Sequence, residues 1–329
     1  MRPFRFGVTL SPAPSSRVGF TEAVKQAAAE GFDVVTVMDH FRSGGIWATL
    51  LAAHHAAPSL RVGTLVLNTD LWHPALLARE AVTADELTGG RLELGLGAGW
   101  DMEDYRTVGR TRRPAGIRIE RLAETLEIVE QAFSGKAVQF HGRHFTVEAP
   151  EPWARPRQER PSLLVGGGGR RILELAGQKA AIASISRNLQ DGGAASWREA
   201  EQAGSAGDLT SRRIAWVRDA AGARFPEVEL HTQLVKVVEG DRERSAREIG
   251  APLGLSAGEV LQSPHFLAGT VEEMAADLLE RRARWGISYL GLSGGNAPGG
   301  PDLRLVGRVI RELRLREERE PLLTMRNSG

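Results

Sequence analysis

Cysteine is absent from the 329-residue chain. Disulfide frameworks, thiolate nucleophiles, iron–sulfur clusters and cysteine-ligated zinc are excluded together, so any redox chemistry has to borrow a cofactor. Long apolar runs are missing as well. No segment approaches the roughly 20 apolar residues that span a bilayer, and the N-terminal MRPFRFGVTLSPAPSS is too interrupted for a signal peptide. These absences predict a cytoplasmic protein without membrane association. An excess of one charge is lacking too, since 42 Lys and Arg face 41 Asp and Glu for a net +1. The arginines are scattered, so no basic stripe exists for a nucleic-acid backbone. Lysine occurs only at Lys25, Lys136, Lys179 and Lys236, which most simply reflects a GC-rich coding bias.

What is present, 42% hydrophobic and 25% charged residues, suits a globular protein with a large core. The length fits two ordinary domains or one α/β barrel, and the order of elements decides between them. Short β-branched runs alternate with helical spacing: FRFGVTL (4–10), a helix over 20–31, DVVTVMD (33–39), a helix over 47–57, RVGTLVLN (61–68), a helix opened by Pro74, RLELGLG (91–97) and a helix over 116–133. Residues 137–150 break the rhythm as a hairpin around Gly142. The alternation resumes with SLLVGG (162–167), a helix from Arg170, AAIASIS (180–186), a helix over 210–222, VELHTQLVKVV (228–238), a helix over 270–286, ISYLGLS (287–293) and a helix over 302–314. Eight strands alternating with helices predict a single (β/α)8 TIM barrel over 1–329, with insertions near 101–115, 137–160, 187–208 and 240–268 at its C-terminal face. The last of these reads as a short helix and loop placed to lie over the barrel mouth.

Functional groups of such a barrel sit at the C-terminal strand ends. His40 ends the second strand and can give or take a proton near neutral pH; the plainer reading is a histidine capping a loop. Asp39 beside it is placed to orient it or to cap the next segment. Asn68 ends the third strand, where its amide suits a planar heterocycle or an ordinary turn. The glycines of GRLELGLGAGW (90–100) do not make a dinucleotide loop, because they follow the fourth strand and neither open a helix directly nor meet a strand-end acid about 20 residues on. Gly95 fits a close strand approach, whereas Gly97 and Gly99 suit either packing or a flat ligand against bare backbone. Trp100 and Tyr105 wall a pocket or fill the loop. Gly166, Gly167, Gly168 and Gly169 precede a helix starting at Arg170 and Arg171, a pattern suited to one phosphate group. No metal-ligand spacing and no G-x-S-x-G elbow occurs.

Taken together, AAAEGFDVVTVMDHF (27–41), RVGTLVLNTDLWHPALLAREAVTADELTGGRLELGLGAGW (61–100), HGRHFTV (141–147), LLVGGGGRRILELA (163–176) and LAGTVEEMAADLLERR with GISYLGLS (267–293) resemble the bacterial luciferase-like flavin-dependent oxidoreductases. The resemblance implies a TIM barrel that binds FMN or the deazaflavin coenzyme F420, with His40 as the active-site histidine. It implies a non-proline cis peptide at Leu65–Val66 under the ring, ring contacts from Asn68, Gly97 and Ala98, and the ribityl phosphate at Gly166 to Gly169. The wording is closest to subfamilies assigned to F420, which carries hydride. Reduced FMN would instead imply a monooxygenase using O2, and a flavin-binding protein without turnover is the remaining alternative. A small-molecule substrate, a reductase that supplies reduced cofactor and a homodimer are implied in the same way. The strand-six segment KAAIASIS departs from the family by lacking an aspartate.

Overall fold

In the computed structural model the described residues are 1–12, 19–187, 205–295 and 300–326. Most of the insertion expected at 187–208 therefore lies outside the described residues.

The strands form because β-branched and leucine runs, flanked by turn residues, bury both faces, as parallel barrel strands must. They are β1 (Arg5–Thr9), β2 (Val34–Val37), β3 (Arg61–Thr64), β4 (Leu67–Asn68), β5 (Leu92–Gly97), β6 (Val138–His141), β7 (Thr146–Ala149), β8 (Ser162–Gly167), β9 (Ile182–Ile185), β10 (Glu229–Leu234), β11 (Lys236–Glu239), β12 (Phe266–Gly269) and β13 (Ile287–Leu292). Parallel pairing runs β1–β2–β3, then β3 and β4 onto β5, then β8, β9, β10 and β13, which pairs back to β1. The ring is closed. β3 and β4 are two halves of one stave, so eight staves make the barrel, the (β/α)8 architecture expected.

The helices are α1 (Phe20–Ala29), α2 (Ile46–Ala56), α3 (Pro74–Leu87), α4 (Met102–Thr107), α5 (Ala115–Phe133), α6 (Arg170–Lys179), α7 (Ala206–Ala221), α8 (Arg242–Gly250), α9 (Ala257–Gln262), α10 (Val271–Trp285) and α11 (Leu303–Arg326). Local chemistry sets their ends. Pro74 opens α3 behind His73, whose side chain caps the Ala75 amide; Thr270 and Glu273 form a capping box on α10, and Gly286 stops it in the left-handed region. The core, from Val8 and Val35 on the strands to Leu77, Leu126 and Val309 on the helices, lies between the barrel and its helical ring. At the N-terminal end of the barrel Arg5 pairs with Glu93 and Glu229, and Arg61 with Glu93 at 2.7 Å.

The insertions add two small two-stranded sheets outside the barrel. The hairpin β6–β7 is antiparallel around Gly142 as the alternation predicts, and Glu124 of α5 accepts from the amides of Arg143, His144 and Phe145 beneath it. The predicted strand 228–238 is in fact two strands. β10 stays in the barrel, while β11 leaves it to pair in parallel with β12. In segment 240–268, α8, α9 and β12 pack on one another around Ala246, Ile249, Val260 and Phe266, a separate apolar cluster. Among the described residues no helix is long and apolar enough to cross a membrane.

Candidate active site

The C-terminal strand ends enclose one open cavity of about 610 Å³. Its wall includes His40, Leu65, Val66, Asn68, Gly97, Ala98 and Gly166 to Gly169, the residues to which the resemblance assigns proton transfer and cofactor contacts. They come together although up to 129 positions separate them, because each ends a stave of the same ring or follows one directly.

The peptide bond between Leu65 and Val66 is cis, as the resemblance implies. It lies between β3 and β4 and turns Val66 toward β5. A Cβ on Gly97 would stand 2.5 Å from Val66 Cγ2, and one on Gly99, whose φ is +75°, would overlap the Asn68 amide. The bare backbone of both glycines is thus demanded by the protein's own side chains, while both still line the cavity. Packing and ligand access share one cause here. Asn68 is buried and its Oδ1 accepts from the Asp70 amide at 3.2 Å, a turn contact; none of the hydrogen bonds among the described residues uses its side-chain NH2.

His40 lies in the wall with Nδ1 2.6 Å from Asp104 Oδ2 and 3.7 Å from Asp101 Oδ2. Trp100 meets the imidazole edge-on at 5.9 Å. The expectation that Asp39 orients His40 is not met. Asp39 instead accepts from the Asn68 amide at 3.0 Å and Trp72 Nε1 at 2.9 Å, joining β2 to the end of β4. Burial raises its pKa, and these two hydrogen bonds offset part of that rise. The residue that holds His40 is Asp104, on α4. Sequence reading missed it, since a short helix in a loop offers little periodicity; only its distance from Tyr105 was a signal.

Tyr105 is fully buried and fills the loop rather than walling the cavity. Its hydroxyl donates to Asp70 at 3.1 Å, and burial together with Asp70 pushes its pKa up to about 12. Asp70, also fully buried, takes Arg113 and Arg121 at 2.9 and 3.0 Å, so one carboxylate ties α5 and the preceding loop to the end of β4.

His40, Asp101 and Asp104 also place three ligand-type atoms within 4.8 Å of one another, a grouping that spacing in the sequence did not announce. Each is engaged otherwise: Asp101 by Arg42 and the Glu103 amide, Asp104 by His40 and the Phe41 amide.

At the other end of the cavity α6 begins at Arg170 behind Gly169, with no side chain capping its first amides. Nothing lies within 4 Å of where a Gly169 Cβ would be, so the helix start opens on free space. Arg118, in the first turn of α5, also lines the cavity. It is 4% exposed and donates to the carbonyls of Arg113 and Ala98 at 2.9 Å and of Gly99. Burial lowers its pKa, no carboxylate pairs with it among the described residues, and one terminal nitrogen has no acceptor there. An uncapped helix start behind a run of glycines fits a phosphate, and Arg118 lines the same cavity. On other staves of the ring, Ser186, Gln233 and Ser293 stand at the ends of β9, β10 and β13, and their side chains make no hydrogen bond among the described residues.

A family model for luciferase-like monooxygenases matches residues 2–287, and the chain belongs to that family. It is 30% identical over 156 residues to a 5,10-methylenetetrahydromethanopterin reductase of Archaeoglobus fulgidus, covering 47% of this chain and 45% of that one. It is 28% identical over 188 residues to an F420-dependent glucose-6-phosphate dehydrogenase of Kineococcus radiotolerans, covering 54% and 55%. The matches span about half the length of these curated relatives. Among solved structures, a riboflavin lyase with modified FMN superposes with a TM-score of 0.75 at 13% identity, over 96% of this chain and 92% of that one.

Proposed function

We propose that this protein is an oxidoreductase that binds coenzyme F420 across the barrel mouth and acts on a small, polar organic substrate. The observation that carries the proposal is the single cavity in which His40, the Leu65–Val66 cis peptide, the Gly97–Ala98 backbone and the uncapped start of α6 are all exposed. The relationship to an F420-dependent dehydrogenase supports the choice of cofactor.

Leu65, Val66, Asn68, Gly97 and Ala98 would hold the ring, and Gly166 to Gly169 with Arg118 the phosphate. When bound, F420 supplies a carbon centre that accepts or donates hydride. His40 gives or takes the accompanying proton at Nε2, since Nδ1 is engaged by Asp104. Asn68 offers its free NH2 to a carbonyl, and Trp100 excludes water beside the imidazole. Ser186, Gln233 and Ser293 supply hydrogen bonds to a substrate bearing hydroxyl or carbonyl groups. The partners that go with this reading are an enzyme that reduces the cofactor and a second copy of the chain, and the whole of 1–329 works as one barrel unit.

A second reading, a monooxygenase using reduced FMN, is favoured by the likeness to a fold neighbour that holds modified FMN. Titrating the purified protein with F420 and with FMN, followed by absorbance and fluorescence, separates the two. Saturable binding of F420 alone supports the proposal, tight binding of FMN alone replaces it with the second reading, and binding of neither sinks both. Once a substrate is in hand, His40→Ala is expected to lower turnover about 100-fold or more; unchanged turnover would remove the proton role.

A further inference from the structure

A proton role for His40 requires one particular ring nitrogen to face the cavity in a known protonation state, and a free imidazole does not meet that requirement. Neutral histidine exchanges between two tautomers, and which nitrogen carries the hydrogen is set by the bond the other makes. Three carboxylates surround this ring. Asp39 is committed to the Asn68 amide and to Trp72. Asp101, 3.7 Å from Nδ1, is drawn to Arg42 and to the Glu103 amide. Only Asp104 hydrogen-bonds the imidazole, Oδ2 to Nδ1 at 2.6 Å, while its Oδ1 accepts from the Phe41 amide at 3.1 Å.

Both oxygens of Asp104 are therefore fixed, one by the backbone of the residue next to His40 and one by its ring. A carboxylate can only accept. Nδ1 must then carry the hydrogen, and Nε2 is left as the open nitrogen. The aromatic edge of Trp100 against the ring further limits its rotation.

We propose that Asp104 is the positioning residue of the site, holding His40 in the Nδ1–H tautomer with the ring anchored through the Phe41 amide. The assignment rests on the reading of His40 as the proton-transfer group. It is also separable from a merely structural role for Asp104, which the Phe41 contact alone would serve by tying α4 to the end of β2.

The substitution Asp104→Asn makes the separation. In the variant, the amide oxygen is held by the Phe41 N–H, because the reverse orientation would set NH2 against N–H. The side-chain NH2 then points at Nδ1, which must become the acceptor, and the hydrogen moves to Nε2. The side chain keeps its size and the Phe41 contact, so the fold is retained, and the melting curve of the variant checks this.

The readout is the 15N shift pair of His40 in histidine-labelled protein at a pH where the imidazole is neutral, assigned by comparison with His40→Ala. The expected result is a protonated Nδ1 and bare Nε2 in the wild type, inverted in Asp104→Asn and mixed in Asp104→Ala. With a substrate and F420, Asp104→Asn should lower turnover about 100-fold while leaving cofactor binding as it is. A wild-type ring protonated at Nε2, a shift pattern unmoved by Asp104→Asn, or full turnover with the inverted tautomer would each overturn the assignment. If instead the shifts behave as expected and His40→Ala keeps full turnover, the proton role of His40 fails, and Asp104 is no longer a residue of catalysis.

Discussion

At the scale of single residues, the site is built by side chains that leave no room for alternatives at their neighbours. Gly97 and Gly99 illustrate this: Val66 and Asn68 occupy the space a methyl group would take, and Gly99 additionally holds a positive φ. Gly97→Ala and Gly99→Ala are each expected to cost about 1–3 kcal/mol, measured by urea unfolding, and to weaken cofactor binding in parallel, since relief of the clash must shift Val66 or Asn68. Wild-type stability in either variant would contradict that account. Asp39 behaves differently. Burial raises its pKa, so the folded state holds its proton to higher pH than the unfolded chain, and the stability linked to it falls as pH rises through the carboxylate range. Asparagine keeps one oxygen to accept from both Asn68 and Trp72 without a buried charge. Asp39→Asn is therefore expected to match or exceed wild-type stability at pH 7, whereas Asp39→Ala should lose about 1–3 kcal/mol.

At the scale of elements, one buried carboxylate helps hold α4 and the loop into α5. Asp70 gathers the Tyr105 hydroxyl, Arg113 and Arg121, and Arg112 adds a hydrogen bond to the Trp100 carbonyl at 2.7 Å. Removing Asp70 leaves two guanidinium groups and a buried phenol without their acceptor. Asp70→Ala is expected to cost about 3–5 kcal/mol and to free α4, which carries Asp104. Hydrogen exchange should then rise at residues 101–113 while the barrel strands stay protected; a uniform rise would mean that the loop is not held separately. The capping box of α10 is a smaller, independent contribution, and Thr270→Ala should lower stability by about 1 kcal/mol without touching cofactor binding.

At the scale of the whole molecule, the two ends of the barrel divide the work. The N-terminal end holds the Arg5, Glu93, Glu229 and Arg61 network, and the C-terminal end the cavity. His231 on β10 and His265 just before β12 are both buried, with pKa values pushed down to about 3 by burial. The unfolded chain protonates both near pH 6.5, so between about pH 6.5 and 3 it binds up to two protons more than the folded state. Stability contributed by their neutral forms is whole above pH 6.5 and is lost as pH falls, at up to about 2.7 kcal/mol per pH unit for the pair. His231→Gln or His265→Gln should roughly halve that part of the slope in urea midpoints taken from pH 7 to 4. Identical slopes in variant and wild type would show that these histidines are not the source.

The staves, their alternation with helices and the glycine-rich helix start were legible because period-2 and period-3.6 apolar patterns and N-terminal glycines act locally, within one turn or one strand. His40, Asn68 and the tetraglycine were legible from their positions at strand ends, which the barrel turns toward one face. Local pattern could not reveal that Asp104 rather than Asp39 holds His40, nor that Arg118 turns inward, because those partners are 64 and about 20 positions away and meet only when α4 and α5 close over β5. Nor could it show that β11 departs to pair with β12, since a strand leaving a barrel has the same apolar alternation as one that stays. The sequence by itself determined which segments become strands and helices and which residue types stand at their ends. Tertiary structure alone decided which carboxylate meets which ring, because hydrogen bonds reach about 3 Å and only the closed barrel brings distant strand ends within that distance.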